Sequence, residues 1–295
     1  TQLALATIDG LVRAEVSRPE AMLNQATDVA ASEVAEAYRR WAVRRGEVPL
    51  EVAENSGWTA NVPQLALKRG SSPTTVQAIL TNDVVDSVGY HALLRALPIA
   101  AWNRPQMGVA SKSIGFSHNT ERTWTLTNLM MLLLRNALKS GDLQGAAMFT
   151  AHEMGVRTKP ARHLTTVRER AQSQPCVAEV LRTFAPGRSV ASAVTGGLYV
   201  ELSYPDADTI AEALEFARNA TSGNAVGAVA GAILGAVHGV HALPAGFVSQ
   251  LELGWVADAL ARDLAAAGPV GALARLAERS PVEAARLKRA YPGRT

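Results

Sequence analysis

Along most of the chain the hydrophobic positions recur three and four residues apart, the spacing of one face of an α-helix. Leu3, Leu5, Ile8, Leu11 and Val12 open the pattern. A second helix is expected over 27–46, with Val29, Val34, Ala37, Tyr38 and Trp41 on its apolar side. Its arginines, Arg39, Arg40, Arg44 and Arg45, gather toward the end, where cations complement the helix dipole. Polar chain follows to residue 62, anchored by Trp58. Gly70-Ser71-Ser72-Pro73 reads as a turn into a helix, with proline in the favoured first turn. Trp124 to Leu138 predicts a long helix with Leu126, Leu129, Met130, Leu133, Leu134 and Leu138 as its core face. Ile210, Leu214 and Phe216 mark a further helix capped by Asp206 or Asp208. Val248, Leu251, Leu253, Val256, Leu260 and Leu264 predict a single amphipathic helix over 247–264. Ser280 and Pro281 start the last helix, which leads into a basic tail, 286–294, expected to be exposed.

One stretch departs from this pattern. A polar hinge, Thr221 to Asn224, leads into an apolar helix in which Gly227, Gly231, Gly235 and Gly239 fall on one face. Each glycine costs about 1 kcal/mol of helix propensity relative to alanine. Four of them predict close backbone approach to a neighbouring helix. The apolar run 225–237 ends at His238 and is shorter than the ~20 residues a bilayer requires, so a buried helix is expected rather than a membrane span. At its start, Ser222 and Gly223 form a natural anion site, because a helix N-terminus offers unpaired N–H groups and the positive end of the dipole.

Composition narrows the class. The 295 residues are 48% hydrophobic and only 5% aromatic, which favours packed helices over a β-sandwich. A net charge of +3, scattered along the chain, gives no footprint for nucleic acid. The single cysteine, Cys176, excludes an internal disulfide framework and a cysteine-based zinc site, and suits the cytoplasm. His152-Glu153 lacks the second histidine of a zinc helix motif. Asp206-Ala207-Asp208-Thr209 looks superficially like a metal motif but reads as a helix start. The oligomeric state is not legible.

Three more segments carry candidate chemistry. Asp86-Ser87-Val88-Gly89-Tyr90-His91 leads into Ala92-Leu93-Leu94-Arg95-Ala96-Leu97-Pro98-Ile99, a small-residue loop before a helix that suits an anion. Tyr90 can stack on a base or ribose and His91 can pair with phosphate, or both can simply pack against the helix. Phe116-Ser117-His118-Asn119 places a histidine at a helix start, and 184–194 supplies another glycine- and serine-containing turn.

Taken in order with the 222–244 stretch, these segments resemble the ADP-ribosylglycohydrolases, the enzymes similar to the dinitrogenase reductase-activating glycohydrolase. The resemblance implies an all-α, compact single-domain orthogonal multi-helix fold over 1–295. It implies cleavage of an ADP-ribosyl, or related N- or O-ribosyl, glycosidic bond at the anomeric ribose carbon. It implies ADP-ribose or an ADP-ribosylated substrate as partner, bound through Ser87, Gly89, Tyr90, His91, His118, Ser222 and Gly223. The family uses two divalent cations, Mg2+ or Mn2+, held mainly by aspartates. Thr1, Ser222 and Asn224 stand at family metal positions, and the last two replace aspartates. Thr1-Gln2 match the end of the family's Thr-Asp-Asp-Thr-Gln motif, so its first helix and Asp-Asp pair are expected upstream of this sequence. Two readings follow: a hydrolase whose acidic ligands lie upstream or in the hinge, or an inactive ADP-ribose- or nucleotide-binding protein of the same fold. A third, purely structural helical protein is also weighed. No catalytic residue and no leaving group is assigned.

Overall fold

Alanine- and leucine-rich segments with three-to-four periodicity fold into helices from one end of the chain to the other. The structure is a computed structural model that describes residues 1–18, 23–49, 54–70, 73–102, 106–155, 157–267 and 272–292. In chain order the helices are α1 (Gln2–Ser17), α2 (Leu23–Arg44), α3 (Pro73–Thr81), α4 (His91–Ala96), α5 (Gln106–Gly115), α6 (Glu121–Ser140), α7 (Leu143–Glu153) and α8 (Lys159–Ser173). They continue as α9 (Ala178–Phe184), α10 (Val190–Ser203), α11 (Ile210–Phe216), α12 (Gly223–His238), α13 (Ala245–Val248), α14 (Gly254–Ala267), α15 (Ala272–Arg279) and α16 (Pro281–Ala290). Among the described residues there is no strand, only two isolated bridges, Val85 with His118 and Gly89 with Ser189. The all-α class expected from composition is therefore what the chain adopts. No helix among the described residues is long and apolar enough to cross a membrane.

The helices gather into two compact units that alternate along the chain. The first comprises Thr1–Asp86, Pro98–Asn119 and Glu252–Thr295, and the second Ser87–Leu97 and Thr120–Leu251.

In the first unit α1 packs along α2, and Gly10 is where they touch. A Cβ there would lie 2.6 Å from Val34 Cα and 2.8 Å from the Glu33 carbonyl oxygen. Several buried polar side chains in this unit are tied to one another, which offsets the cost of burying them. Asp9 accepts from Arg13 at 2.9 Å, from Arg40 at 3.2 Å and from Thr59 at 3.1 Å. Gln2 accepts from the Trp41 indole at 3.1 Å and donates to the Gln64 and Leu67 carbonyls, tying α1 and α2 to the turn beyond residue 62. Trp58, the expected anchor, is half-buried and faces Trp255 at 6.0 Å. Within this polar stretch residues 50–53 lie outside the described residues. Gly70 takes a φ of 63° at the expected turn and α3 begins at Pro73; Ser71 and Ser72 also lie outside the described residues.

Two expectations for the C-terminal part are corrected. Residues 247–264 do not form a single helix. The chain tightens after α13 into bonds from Gln250 N–H to Phe247 and from Leu251 N–H to Val248, and a new helix starts at Gly254. Leu253, Val256, Leu260 and Leu264 are buried, whereas Val248 and Leu251 are exposed. The basic tail is not simply exposed either. Leu287 and Tyr291 are buried, Arg286 pairs with Asp263 and Glu283, and the Tyr291 hydroxyl donates to Asp263 at 2.6 Å. Arg294 lies outside the described residues. Because that phenol–carboxylate bond is buried, Tyr291→Phe should cost about 2 kcal/mol by urea denaturation; no loss would mean that Arg286 alone satisfies Asp263.

The second unit is built on α10, in which every residue from Val190 to Glu201 is buried. α12 runs alongside it in the same direction. Gly196 of α10 meets Val226, Gly197 meets Val229 and Ala230, and beyond the far ends His238 Nε2 donates to the Pro205 carbonyl at 2.9 Å. The close approach expected of the glycine stripe on α12 is thus made by α10's glycines instead. A Cβ on Gly227 or Gly231 would meet its nearest neighbour only at 3.7 or 3.6 Å, and one on Gly235 would meet nothing. The stripe lies beside the buried face of α12, which is Ala225, Val226, Val229, Ala230, Ile233 and Leu234. Gly239 serves differently, ending the helix with a φ of 77°. On α6 the expected core face is buried except Leu138, which is exposed in the last turn.

Glu201 closes the buried stretch of α10. It is 1% exposed, and its Oε2 has no hydrogen-bond partner. Burial first, and then the nearby Asp142 carboxylate, pushes the Glu201 carboxyl up to about 8.

Candidate functional site

The loop 87–90 is held at the end of the second unit where three long helices begin. Ser87 Oγ accepts from the Gly89 N–H at 3.2 Å, which turns the loop back on itself. The Ser87 carbonyl accepts from Thr120 at 3.2 Å and from Thr123 at 3.0 Å, the N-cap and third residue of α6. The Val88 carbonyl accepts from the Val190 N–H at 2.7 Å, and Gly89 pairs with Ser189, the N-cap of α10. Because α10 and α12 are parallel, the N-terminus of α12 lies at this same end, and α4 packs against α12. At the opposite end Gly141, which closes α6, comes near the Val237 carbonyl of α12. So α6, α10 and α12 all point their N-termini toward the loop.

Each long helix contributes a partial positive charge of roughly half a unit at its start, and the three starts face the loop together. The three starts differ in how their N–H groups are used. Thr120 caps α6 by accepting from the Thr123 N–H, and Ser189 caps α10 by accepting from the Ser192 N–H. Ser222, at the N-cap of α12, makes no such bond. Its hydroxyl is unpartnered although the residue is only 8% exposed. The first turn of α12 therefore keeps its N–H groups without a side-chain cap.

The helix also begins earlier than the polar hinge implied. Gly223 and Asn224 sit in its first turn, and Asn224 is exposed. Gly223 is required by space, since a Cβ there would lie 2.9 Å from Arg218 Cα and 3.1 Å from the Ala217 carbonyl oxygen. Tyr90 and His91 are half-buried and pack on each other, ring centroids 4.5 Å apart. Burial, reinforced by Arg95, lowers the His91 pKa below its usual value. At neutral pH His91 is a neutral hydrogen-bonding group rather than an imidazolium.

The remaining site positions belong to the first unit. Thr1 occupies the N-cap of α1, is exposed, and makes no side-chain cap bond. His118 is buried, shares a 2.8 Å hydrogen bond between Nδ1 and Ser117 Oγ, and bridges Val85 through its backbone. The α6 and α10 caps that seat the loop were legible as Thr120-x-x-Thr123 and Ser189-x-x-Ser192, a hydroxyl three residues before another at a helix start; they were not singled out from the sequence.

Among the described residues, no group of three or more His, Cys, Asp or Glu side chains is placed to hold an ion. Ser222 and Asn224 present neutral oxygens, whereas hard divalent cations take six or more oxygen ligands, carboxylates prominent among them. These residues do not by themselves fit a two-cation centre. Asp206 and Asp208 are exposed; Asp206 takes the N-cap position before a short 3-10 turn, without a side-chain cap bond.

The sequence profile of the family described as ADP-ribosylglycohydrolase matches residues 1–274. No curated protein matches the chain.

Proposed function

The chain belongs to the ADP-ribosylglycohydrolase family, and from that premise we propose that the loop end of the second unit holds the phosphates and ribose of an ADP-ribosyl group. The observation that carries this reading is the uncapped start of α12, with the buried, unpartnered Ser222 hydroxyl beside it. A polar group so placed loses hydration unless a ligand replaces it. In this reading the first-turn N–H groups of α12 and the Gly89 loop bind phosphate oxygens, and Ser222 donates to phosphate or ribose. Neutral His91 adds a hydrogen bond, and Tyr90 stacks on a flat face of the ligand. The reaction is hydrolysis: the bond from the anomeric carbon to its substituent breaks, water supplies the new carbon–oxygen bond, and the substituent leaves with a proton. The described donors at this end, Ser222 and Asn224, are neutral and do not by themselves form a metal centre. That same neutral donor set favours a second reading, an ADP-ribose-binding protein without turnover.

Titration of the full chain with ADP-ribose, with and without Mg2+ or Mn2+, tests both readings. Binding that needs the cation supports the hydrolase; equal binding without it supports the metal-free binder; no binding in either condition removes both. Ser222→Ala provides the local test. Its hydroxyl has no protein partner to lose, so thermal stability should hold within about 0.5 kcal/mol. Affinity for ADP-ribose should fall about tenfold, the value of a hydrogen bond to a charged group. Unchanged affinity would take Ser222 out of the site.

A further inference from the structure

A second concavity of the same unit lies outside the loop and hinge and shares none of their residues. Tyr204 follows α10, and its ring meets Phe216 of α11 at 5.5 Å with the planes tilted by 51°. Phe216 in turn contacts Tyr199 at 6.3 Å, and Tyr199 contacts Phe184 at 5.6 Å, so this wall of rings is rooted in the core. Phe247 of α13, 44% exposed, adds a third ring to the cavity. The space they bound is about 640 Å3, the size of a small-molecule site.

Its charges are not balanced. Glu215 is engaged by Arg218 at 3.0 and 3.2 Å. Glu212 is exposed, lines the cavity and has no ion-pair partner among the described residues. The lining therefore carries a net negative charge on a chain whose overall charge is +3. The Tyr204 phenol is pushed up to about 12, by burial first, then by its neighbour Cys176, with Glu212 adding to the effect. It stays uncharged at neutral pH and presents a ring rather than an anion.

We propose that this aromatic cavity binds a small organic cation of the alkylammonium class, a quaternary ammonium group fitting it best. Ring faces carry negative quadrupole density and attract a cation within about 6 Å. A compact alkylated ammonium needs only ring faces and one unpaired carboxylate. The cavity is shallow and open to solvent, so it admits the group from a free small molecule or from a methylated lysine side chain.

Calorimetric titration of the full chain with choline, and with its uncharged isostere bearing a tert-butyl group in place of trimethylammonium, tests the proposal. Choline should bind saturably and the isostere at least about threefold more weakly, as expected for loss of cation–ring attraction. Glu212→Gln and Phe247→Ala, both at exposed positions where folding is not at risk, should each weaken choline by about threefold or more. Equal binding of choline and its isostere would overturn the chemistry, and unchanged affinity in both variants would overturn the location. A trimethyllysine peptide binding more tightly than choline would assign the site to a methylated side chain, and choline binding the more tightly would assign it to a free small molecule.

Discussion

Gly10→Ala should cost at least about 3 kcal/mol, while Gly235→Ala should stabilise the protein by about 1 kcal/mol. The two substitutions add the same methyl group to a helix interior, so propensity alone favours both by roughly 1 kcal/mol. What separates them is the atoms the methyl meets. At Gly10 all three nearest atoms are backbone: Val34 Cα at 2.6 Å, the Glu33 carbonyl oxygen at 2.8 Å and Val34 N at 2.8 Å. Backbone in a helix cannot rotate aside, so α1 and α2 would have to part along their packed length, and overpacking of this kind costs about 1–3 kcal/mol even where side chains can adjust. At Gly235 the methyl meets nothing within 4 Å. Gly197→Ala belongs with Gly10, its methyl 2.4 Å from Val229 Cγ1 and 3.1 Å from Ala230 N. Denaturant midpoints of the three variants decide the matter; a stable Gly10→Ala protein, or a destabilised Gly235→Ala one, would refute the packing described for these helices.

Glu201→Gln should stabilise the protein increasingly as pH rises from about 5 to 8. The Glu201 carboxyl is raised from the usual 4.5 to about 8 in the fold. Between those values the folded chain holds a proton that the unfolded chain releases. Its contribution is therefore complete below pH 4.5 and is lost as pH rises through 8, after which the penalty is constant. Glutamine has nearly the same shape and no charge to bury. The variant and the parent should match near pH 4.5 and diverge to several kcal/mol near pH 8, with roughly 5 kcal/mol as the upper bound set by 1.36 kcal/mol per pH unit. Parallel urea titrations at several pH values, plotted as the difference between the two proteins, isolate this group from the other titrations. A flat difference would mean that the carboxyl is solvated or paired in solution.

Helices were legible where period and punctuation agree: Pro73 begins α3, Thr120 precedes α6, and the run from Ala225 fills α12, whereas α7 and α8, in a polar and basic stretch, were not. Partners and directions of packing were not. The glycine stripe of α12 is conspicuous in sequence, yet spacing tells which residues share a face, not which face is buried. Val226, Val229 and Ile233 carry more apolar surface and take the core side, and two adjacent glycines on α10, without helical repeat, make the room for them. The run 247–264 misleads for a related reason, since its periodicity continues in register across a break made by local backbone bonding. The burial of Glu201 is equally silent, because a glutamate after Leu-Tyr-Val reads as the polar edge of an apolar helix. Of the candidate site, the loop at Ser87–His91 and the start of α12 were found from residue types, and the structure seats both at one end of the second unit. The convergence of three helix starts on that loop is a property of tertiary direction, and no local pattern encodes it.

The alternation of the two units along the chain bears on how the protein must be made. Arg13 donates to the Pro292 carbonyl at 2.9 Å across 279 residues, and the first unit draws on both Thr1–Asp86 and Glu252–Thr295. As the chain leaves the ribosome, α1 and α2 emerge long before α14 and α16. The second unit, apart from Ser87–Leu97, is one continuous stretch and can close first. Closing the first unit pays loop entropy over a separation of 279 residues, which makes it the slower step. During that wait the apolar side of α1, with Leu5, Leu11 and Val12, stays open to chaperones and to aggregation.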